Sequence, residues 1–261
     1  MALPSDGSPL GPSAHALTQA ADLLAGNDRE FFARVWATKR ERYHSRIESI
    51  GFTGLDWILD AGCGFGQWTW ALAAYNARIT AIDVDPQRVA VTRRLLSGHP
   101  AGRVTSTVAS IDALPFADAQ FNAIFCYGVV FIADTRRALA EFARVLRPGG
   151  RLYMTANALG WFLRCIVDQP NRSPYYDPRA MAIASLAATL DYQDGGIRTP
   201  DTQLVIPSRQ MVRWLERAGF AEVHTGAEGT LVREGLPRAE PLFAGDFEGV
   251  ECVYDVMAMR R

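Results

Sequence analysis

The stretch Ile58–Ala71 reads ILDAGCGFGQWTWA. An apolar run, three glycines at Gly62, Gly64 and Gly66, and a run with helical spacing follow one another without a break. A packed core wants bulk there, so something requires the backbone bare. Glycine lets another group approach the main chain and opens conformations closed to other residues. One glycine suffices for a tight turn. Three at alternate positions, straight after a buried strand, point to a turn that binds a ligand. In a doubly wound sheet such a turn lies at the carboxyl edge of the strands, where ligands sit. The helix that follows aims its free N–H groups at the same place.

Working outward, the rhythm is strand, helix, strand, helix. WILDA reads as a short buried strand, QWTWALAAY as a helix, RITAID as the next strand, and PQRVAVTRRLLSG as a helix opened by Pro86 and ended by Gly98. RVTSTVA, FNAIFCY and RPGGRLYMTA continue the strands, with DTRRALAEFARVL as a helix between the last two. This alternation predicts a parallel sheet with helices on both faces. From Pro207 the pattern resumes with SRQMVRWLERAGF as a helix, AEVHTG as a strand and GVECVYDVMAMR as a last strand.

The rest divides around this core. Residues 1–14, rich in Pro, Gly and Ser, read as a disordered arm. Residues 15–51 form a helical cap: the pattern turns helical from Ala16 to Ile50, with a helix that Asn27 or Asp28 could cap and Gly51 could end, carrying Phe31, Val35, Tyr43, Ile47 and Ile50 on one face and charges on the other. The core spans 52–156. Between 157 and 206 the rhythm breaks, with two short helices around Gly160 to Val167 and Arg179 to Leu190. That interruption is too long for a plain connection, and reads as a lid or as a cover for an apolar edge. Residues 207–261 return to the sheet.

Composition sets bounds. Lys plus Arg is 27 and Asp plus Glu 28, a balance that argues against a general nucleic-acid or anionic-membrane surface. Cys63, Cys126, Cys165 and Cys252 are too scattered for a CxxC metal knuckle and sit in apolar settings, as buried thiols in a reducing compartment do. The first residues lack the basic and apolar regions of a secretory signal, and no apolar run nears the ~20 residues of a membrane span. A soluble, cytoplasmic protein, monomer or homodimer, is expected.

Two ligand classes compete for the turn. A dinucleotide turn wants G-x-G-x-x-G, but here the third glycine follows after two, and Gln67 and Trp68 stand where small residues belong. DAGCGFG instead resembles motif I, D/E-x-G-x-G-x-G, of the class I S-adenosylmethionine-dependent methyltransferases. RITAIDVDPQRV resembles that family's second strand; Asp83 stands 21 residues after Gly62, against the usual distance of about 20. VASIDALPF resembles its adenine loop, FNAIFCYGVVFIAD its motif IV, and EFARVLRPGGRLYMTA the helix and fifth strand beyond. The likeness runs from Asp56 to Ala156 in order. It implies a Rossmann-like, seven-stranded, mostly parallel sheet, with an N-terminal cap and an inserted lid after the fifth strand.

The resemblance also implies roles. The cofactor would be S-adenosyl-L-methionine, held by Asp60, Gly62, Cys63, Gly64, Gly66, Gln67, Asp83, Val84, Ile111, Asp112, Cys126 and Tyr127. Asp83 would offer two oxygens to the ribose hydroxyls, Val84 a face to the adenine, and Asp112 an acceptor to its amino group. Asp83 could instead cap the helix at Pro86, although Asp85 is better placed. Gln67 could merely begin its helix, Asp112 could be a turn residue, and Cys126 a packed thiol. Trp36, Tyr43, Tyr175, Tyr176, Tyr192 and Tyr254 are candidates for the acceptor side, or else packing residues.

No catalytic residue stands out. His15, His44, His99 and His224 read as solvated, none placed as a base, and no metal is expected, since Asp134 alone makes no ligand cluster. CYGV stands where amino-methylating nucleic-acid enzymes carry Asn/Asp-Pro-Pro-Tyr/Phe, so a small-molecule acceptor in specialised metabolism is expected, methylated on O, N or C. The apolar end of motif IV keeps a second reading open, in which the bound cofactor serves a pericyclic, decarboxylating or regulatory task.

Overall fold

The apolar run before the glycines becomes the central strand β1 (Trp57–Ala61) of a seven-stranded sheet. A computed structural model describes residues 11–98, 103–195 and 198–261; the arm as far as residue 10, and His99, lie outside them. Beside β1, and parallel to it, run β2 (Arg78–Asp83) and β4 (Phe121–Cys126). β3 (Val104–Val108) pairs with β2, and β5 (Leu146–Asn157) with β4, both again parallel. Beyond β5 lie β9 (Val253–Arg260) and β6 (Phe220–Ala227), with β9 antiparallel to both neighbours. The order β3-β2-β1-β4-β5-β9-β6 reverses direction between β1 and β4. The glycine turn therefore stands at the topological switch point.

Two pairs of helices cover the sheet. α3 (Arg40–Ser49) and α4 (Gln67–Ala73) bury Tyr43, Ile47, Trp68 and Leu72 against Ile58, Phe125 and Tyr153 on one face. On the other, α6 (Thr135–Val145) and α9 (Ser208–Arg217) bury Leu139, Phe142, Met211 and Leu215 against Leu59, Ile124 and Val256. α5 (Pro86–Leu95) opens on Pro86, and Asp85 accepts from the N–H groups of Gln87 and Arg88 at 2.7 and 3.3 Å. The helix cap is thus Asp85, which frees Asp83 from that duty.

Between residues 11 and 51 the structure corrects the sequence reading. Gly11 and Pro12 are buried, and the hydroxyl of Ser13 caps α1 (Ala14–Ala21), so disorder does not reach residue 14. In place of one helix from Asn27 or Asp28 to Gly51 there are two, α2 (Gly26–Ala37) and α3, and α1 precedes them as a separate helix. The hydroxyl of Thr38 donates to the carbonyl of Arg34 at 3.2 Å, and Thr38 itself turns extended. Side-chain competition for helical carbonyls of this kind accompanies helix ends. The break serves packing: α1 and α2 join α5 around Phe65, while α3 lies over α4 and the sheet. Periodicity alone cannot separate one stripe from two stripes facing different partners.

The insertion after β5 carries α7 (Leu159–Val167) and α8 (Pro178–Gln193), packed together through Phe162, Cys165 and Ala182. Gly160 lets α7 lie on the small hairpin of β7 (Asp246–Phe247) and β8 (Val250–Glu251): a Cβ there would meet the carbonyl of Val250 at 2.4 Å. This hairpin takes residues assigned by sequence to the last strand, which begins only at Val253. Among the described residues no helix is long and apolar enough to cross a membrane.

Candidate active site

The three glycines of the turn are bare for different reasons. At Gly62 (φ 88°) a Cβ would strike Val129 beyond β4 at 2.4 Å, so this glycine permits close packing across the switch point. At Gly66, which caps α4, a Cβ would come within 3.0 Å of Thr92 on α5. Gly64 (φ 53°) has nothing within 4 Å of such an atom and faces open space. The turn is held by the N–H groups of Gly62 and Cys63, which both donate to the carbonyl of Ile82 at 2.9 and 2.7 Å. Between the glycines, Phe65 is fully buried against Phe31 and Phe32, with ring centroids 5.7 and 5.4 Å apart. Burying a phenylalanine is worth roughly 1.5–3 kcal/mol, so Phe65 anchors the cap to the turn.

Acidic side chains stand at the ends of β1 and β2 and in the loop after β3. Asp83 ends β2 and accepts from the N–H of Gly64 at 3.0 Å with one oxygen and from that of Asp85 at 3.0 Å with the other. Each oxygen keeps a lone pair for a further donor. Val84 beside it is an exposed apolar side chain, 64% accessible. Asp60, at the end of β1, is buried and accepts from the hydroxyl of Thr69 at 2.5 Å. Burial, and after it the charge of Asp83, pushes its carboxyl up to about 7 in spite of that hydrogen bond. Ile111 is buried, and the adjacent Asp112 accepts from the Ser110 hydroxyl at 2.5 Å and from the Asp134 N–H at 3.4 Å. Cys63 and Cys126 are buried thiols whose pKa burial raises, so neither is a ready nucleophile.

A family model described as a methyltransferase domain matches residues 58–150, the stretch that carries this geometry. The ubiquinone/menaquinone biosynthesis C-methyltransferase UbiE of Syntrophotalea carbinolica is 31% identical over 200 residues, 71% of this chain and 78% of that protein. The chain belongs to the class I S-adenosylmethionine-dependent methyltransferases. O-methyltransferase cnsE of Penicillium expansum is 44% identical over 98 residues, but that match spans 36% of each chain. Among solved structures, the [4+2]-cyclase SpnF superposes with a TM-score of 0.56 at 18% identity, over 85% of this chain and 81% of that one. At that identity the likeness speaks for the fold alone.

The methyltransferase cofactor is S-adenosylmethionine, and the residues around the turn fit it. The carboxylate that accepts from the Gly64 N–H has spare lone pairs, and the residue after it is an exposed apolar side chain. Among the buried polar atoms that lack a hydrogen-bond partner in the described residues are Oε1 of Gln67 at the start of α4, and Nε1 of Trp36, packed on the Phe65 cluster. Buried groups of this kind ordinarily find a partner. An amino acid end, with its ammonium and carboxylate, supplies a donor and an acceptor of the matching sort.

Beyond the end of β4 lies a second feature, which the sequence does not announce. Tyr127 donates to Oε1 of Glu228 at 2.8 Å, and Arg46 of α3 donates to the same oxygen at 2.5 Å. Arg46 also donates to the Tyr153 hydroxyl at 2.9 Å, and Tyr153 to Asp255 at 2.8 Å. Oε2 of Glu228 accepts from the N–H groups of Leu242 and Phe243 at 2.6 and 3.1 Å. Arg46, Glu228 and Asp255 are all buried. Burial raises the carboxyl of Asp255 to about 6, against the opposing pull of Arg46, while Tyr153 and Glu228 hold the Arg46 guanidinium charged against its own burial. Burial, then the charge of Glu228, drives the Tyr127 phenol well above its ordinary range.

The tyrosines named from sequence scatter. Tyr43 packs edge-on to Trp68 and donates to the carbonyl of Val35 at 2.7 Å, a strut between α3 and α2. Tyr192 donates to Asp134 at 2.9 Å, tying α8 to the start of α6. Tyr254 is buried and donates to the carbonyl of Ile206 at 2.8 Å. Tyr175 is exposed against Gly26, and Tyr176 bridges to Ser173. His44, expected as solvated, is buried, and its ring nitrogen pairs with the Tyr75 hydroxyl at 3.2 Å; His15 and His224 are exposed. Glu228 and Arg46 were missed because each reads as a solvated charge on its own element. Phe243 and Trp161 were missed because nothing local ties them to β4.

Proposed function

We propose that this methyltransferase moves a methyl group to a small-molecule acceptor bound beyond the end of β4, beneath α7 and the loop that carries Leu242 and Phe243. The observation that carries the reading is Asp83, relieved of capping by Asp85 and left with spare lone pairs beside the open space at Gly64. In this reading Asp83 takes the ribose hydroxyls and Val84 lies along the adenine. Ile111 and Asp112 meet the adenine edge, and Gln67 and Asp60 meet the amino acid end. Gly62, Cys63, Gly64 and Gly66 supply the main chain that lies along the cofactor, and Cys126 and Tyr127 close the wall near the sulfur. Residues 15–51 act as a cap over this space and 157–206 as its cover.

The cofactor supplies an electrophilic methyl on a sulfonium. What the chain itself contributes is position and the exclusion of water. An in-line approach held at the right distance carries a large part of such a rate enhancement. The Tyr127 phenol is a poor base at neutral pH, its proton held on Glu228, and no histidine of the described residues stands beside it. Acceptors that need little proton removal, such as an acidic phenol or an activated carbon, suit this site. Proteins similar to this chain carry the names of O- and C-methyltransferases.

The test is transfer of label from methyl-labelled cofactor to a panel of phenols, quinols and amines. Label in product supports the reading. Tight binding of S-adenosylhomocysteine with no transfer across the panel favours the non-methylating use instead.

A further inference from the structure

Beyond the end of β4 a series of ring contacts forms an aromatic wall. Trp68 and Tyr127 lie 4.6 Å apart by centroid and tilted by 42°. Tyr127 is followed by Phe243 at 6.4 Å and 32°, and Phe243 by Trp161 at 5.8 Å and 87°. These four rings come from α4, the end of β4, the loop after Glu228 and α7. The wall begins where the cofactor's sulfur end is placed and runs out beneath the insertion.

Three anchors hold it rigid. Glu228 fixes both the Tyr127 hydroxyl and the backbone N–H of Phe243, so a single carboxylate sets the spacing of two rings. Arg42 and Arg46 of α3 donate to the carbonyls of Pro241 and Glu240 at 2.5 and 3.1 Å, strapping the same loop to the cap. Gly160 seats α7 on the β7–β8 hairpin with no room for a Cβ, and this fixes the adjacent Trp161.

One group in the wall is unfinished. Nε1 of Trp161 is buried and has no hydrogen-bond partner among the described residues. A buried indole N–H without an acceptor is costly, and a bound molecule that supplies one recovers the loss.

We propose that the methyl acceptor is a flat aromatic molecule bearing a carbonyl or equivalent oxygen: its ring packs on Tyr127 and Phe243, and its oxygen accepts from the Trp161 indole N–H. This rests on the methyltransferase reading above and names its acceptor class. Aromatic packing selects flat rings over puckered ones, and the lone donor selects rings that carry an acceptor oxygen. Trp161 is then a specificity-determining residue.

The experiment titrates three probes into enzyme saturated with S-adenosylhomocysteine, followed by calorimetry: 7-hydroxycoumarin, 2-naphthol and decahydro-2-naphthol. The first is flat with a ring carbonyl, the second flat without one, and the third is the saturated, puckered form of the second. The expected result is 2-naphthol binding about tenfold tighter than its saturated form. 7-Hydroxycoumarin binds about fivefold to tenfold tighter than 2-naphthol in wild type and equally in Trp161→Phe. Phe243→Leu, at a partly exposed position that tolerates the change, erodes the preference for flat rings. Circular dichroism and an unchanged affinity for S-adenosylhomocysteine certify that both variants are folded. If S-adenosylhomocysteine binds while the flat probes bind no better than the puckered one, or if Trp161→Phe keeps the coumarin preference, the proposal is overturned. If S-adenosylhomocysteine itself does not bind, the methyltransferase reading falls and takes the proposal with it.

Discussion

The two ends of the site are built in opposite ways. The glycine end is assembled within a short stretch, from Asp60 through the turn to Asp83 and Asp85, and its contacts are mostly to main chain. The aromatic end gathers Arg46, Tyr127, Trp161, Glu228 and Phe243 from five separate parts of the chain, and its hydrogen bonds and ring contacts all link residues far apart in sequence. Recognition of a common cofactor needs a bare backbone and a fixed carboxylate, both of which local spacing can encode. A wall for a particular acceptor needs groups that only the folded chain brings together.

The sharpest test of this contrast is Glu228→Ala, which leaves Arg46 as a buried charge without its closest partner. Loss of one member of a buried pair costs roughly 3–5 kcal/mol, to be read by urea unfolding. A loss below about 1 kcal/mol would mean that the aromatic end does not depend on this carboxylate.

At the other end, Gly62→Ala and Gly64→Ala should part company. Gly62→Ala combines a left-handed backbone with a clash on Val129 and should cost about 2–4 kcal/mol of stability. Gly64→Ala has room for its Cβ and should cost about 1–2 kcal/mol, while weakening S-adenosylhomocysteine binding by more than that stability loss accounts for. Equal effects of the two on both readouts would erase the distinction between a packing glycine and a ligand-facing one.

Asp83→Asn should weaken S-adenosylhomocysteine by about tenfold to a hundredfold, through loss of charge-assisted acceptors, and by more than its stability loss of about 1–3 kcal/mol accounts for, since the Gly64 or the Asp85 N–H then faces an amide NH2. Calorimetry decides it. An affinity within twofold of wild type would break the assignment that anchors the glycine end.

Both ends also leave a mark on pH. Asp60 titrates at about 7 and Asp255 at about 6, each raised from 3.8 chiefly by burial. The folded state therefore holds protons that the unfolded state has already released. Stability should fall as pH rises from the ordinary carboxylate range through about 6 to about 7, then level off. Asp60→Asn should flatten the upper part of that fall in melting temperatures recorded between about pH 4 and 8. The smallest effect belongs to a strut outside both ends. Tyr254→Phe should cost about 1 kcal/mol and leave the kinetics with any acceptor unchanged.

Much of the fold could be read directly. WILDA and RITAID became β1 and β2 residue for residue, because an apolar run bounded by glycine or acid has few alternatives. Asp85 followed by Pro86 reads as a helix start and is one. The cap was harder. Its apolar stripe looked continuous, yet Phe31 faces Phe65 while Tyr43 faces Trp68, and the chain turns at Thr38 to serve both. The tyrosines stood open to two readings, acceptor contact or packing. A tyrosine has an apolar body and a polar tip, and Tyr43, Tyr192 and Tyr254 spend that tip on internal struts.

The amino-acid sequence alone determined the alternation, the bare turn at the switch point and the acid that ends the second strand. Each depends on neighbours within a few residues, or on a spacing that repeats. The tertiary structure alone decided which charges are buried together and which rings share a wall. Arg46 and Glu228 are 182 residues apart in sequence and share one hydrogen bond. Their partnership depends on how α3 and the end of β6 dock over the sheet, and no local pattern carries that information.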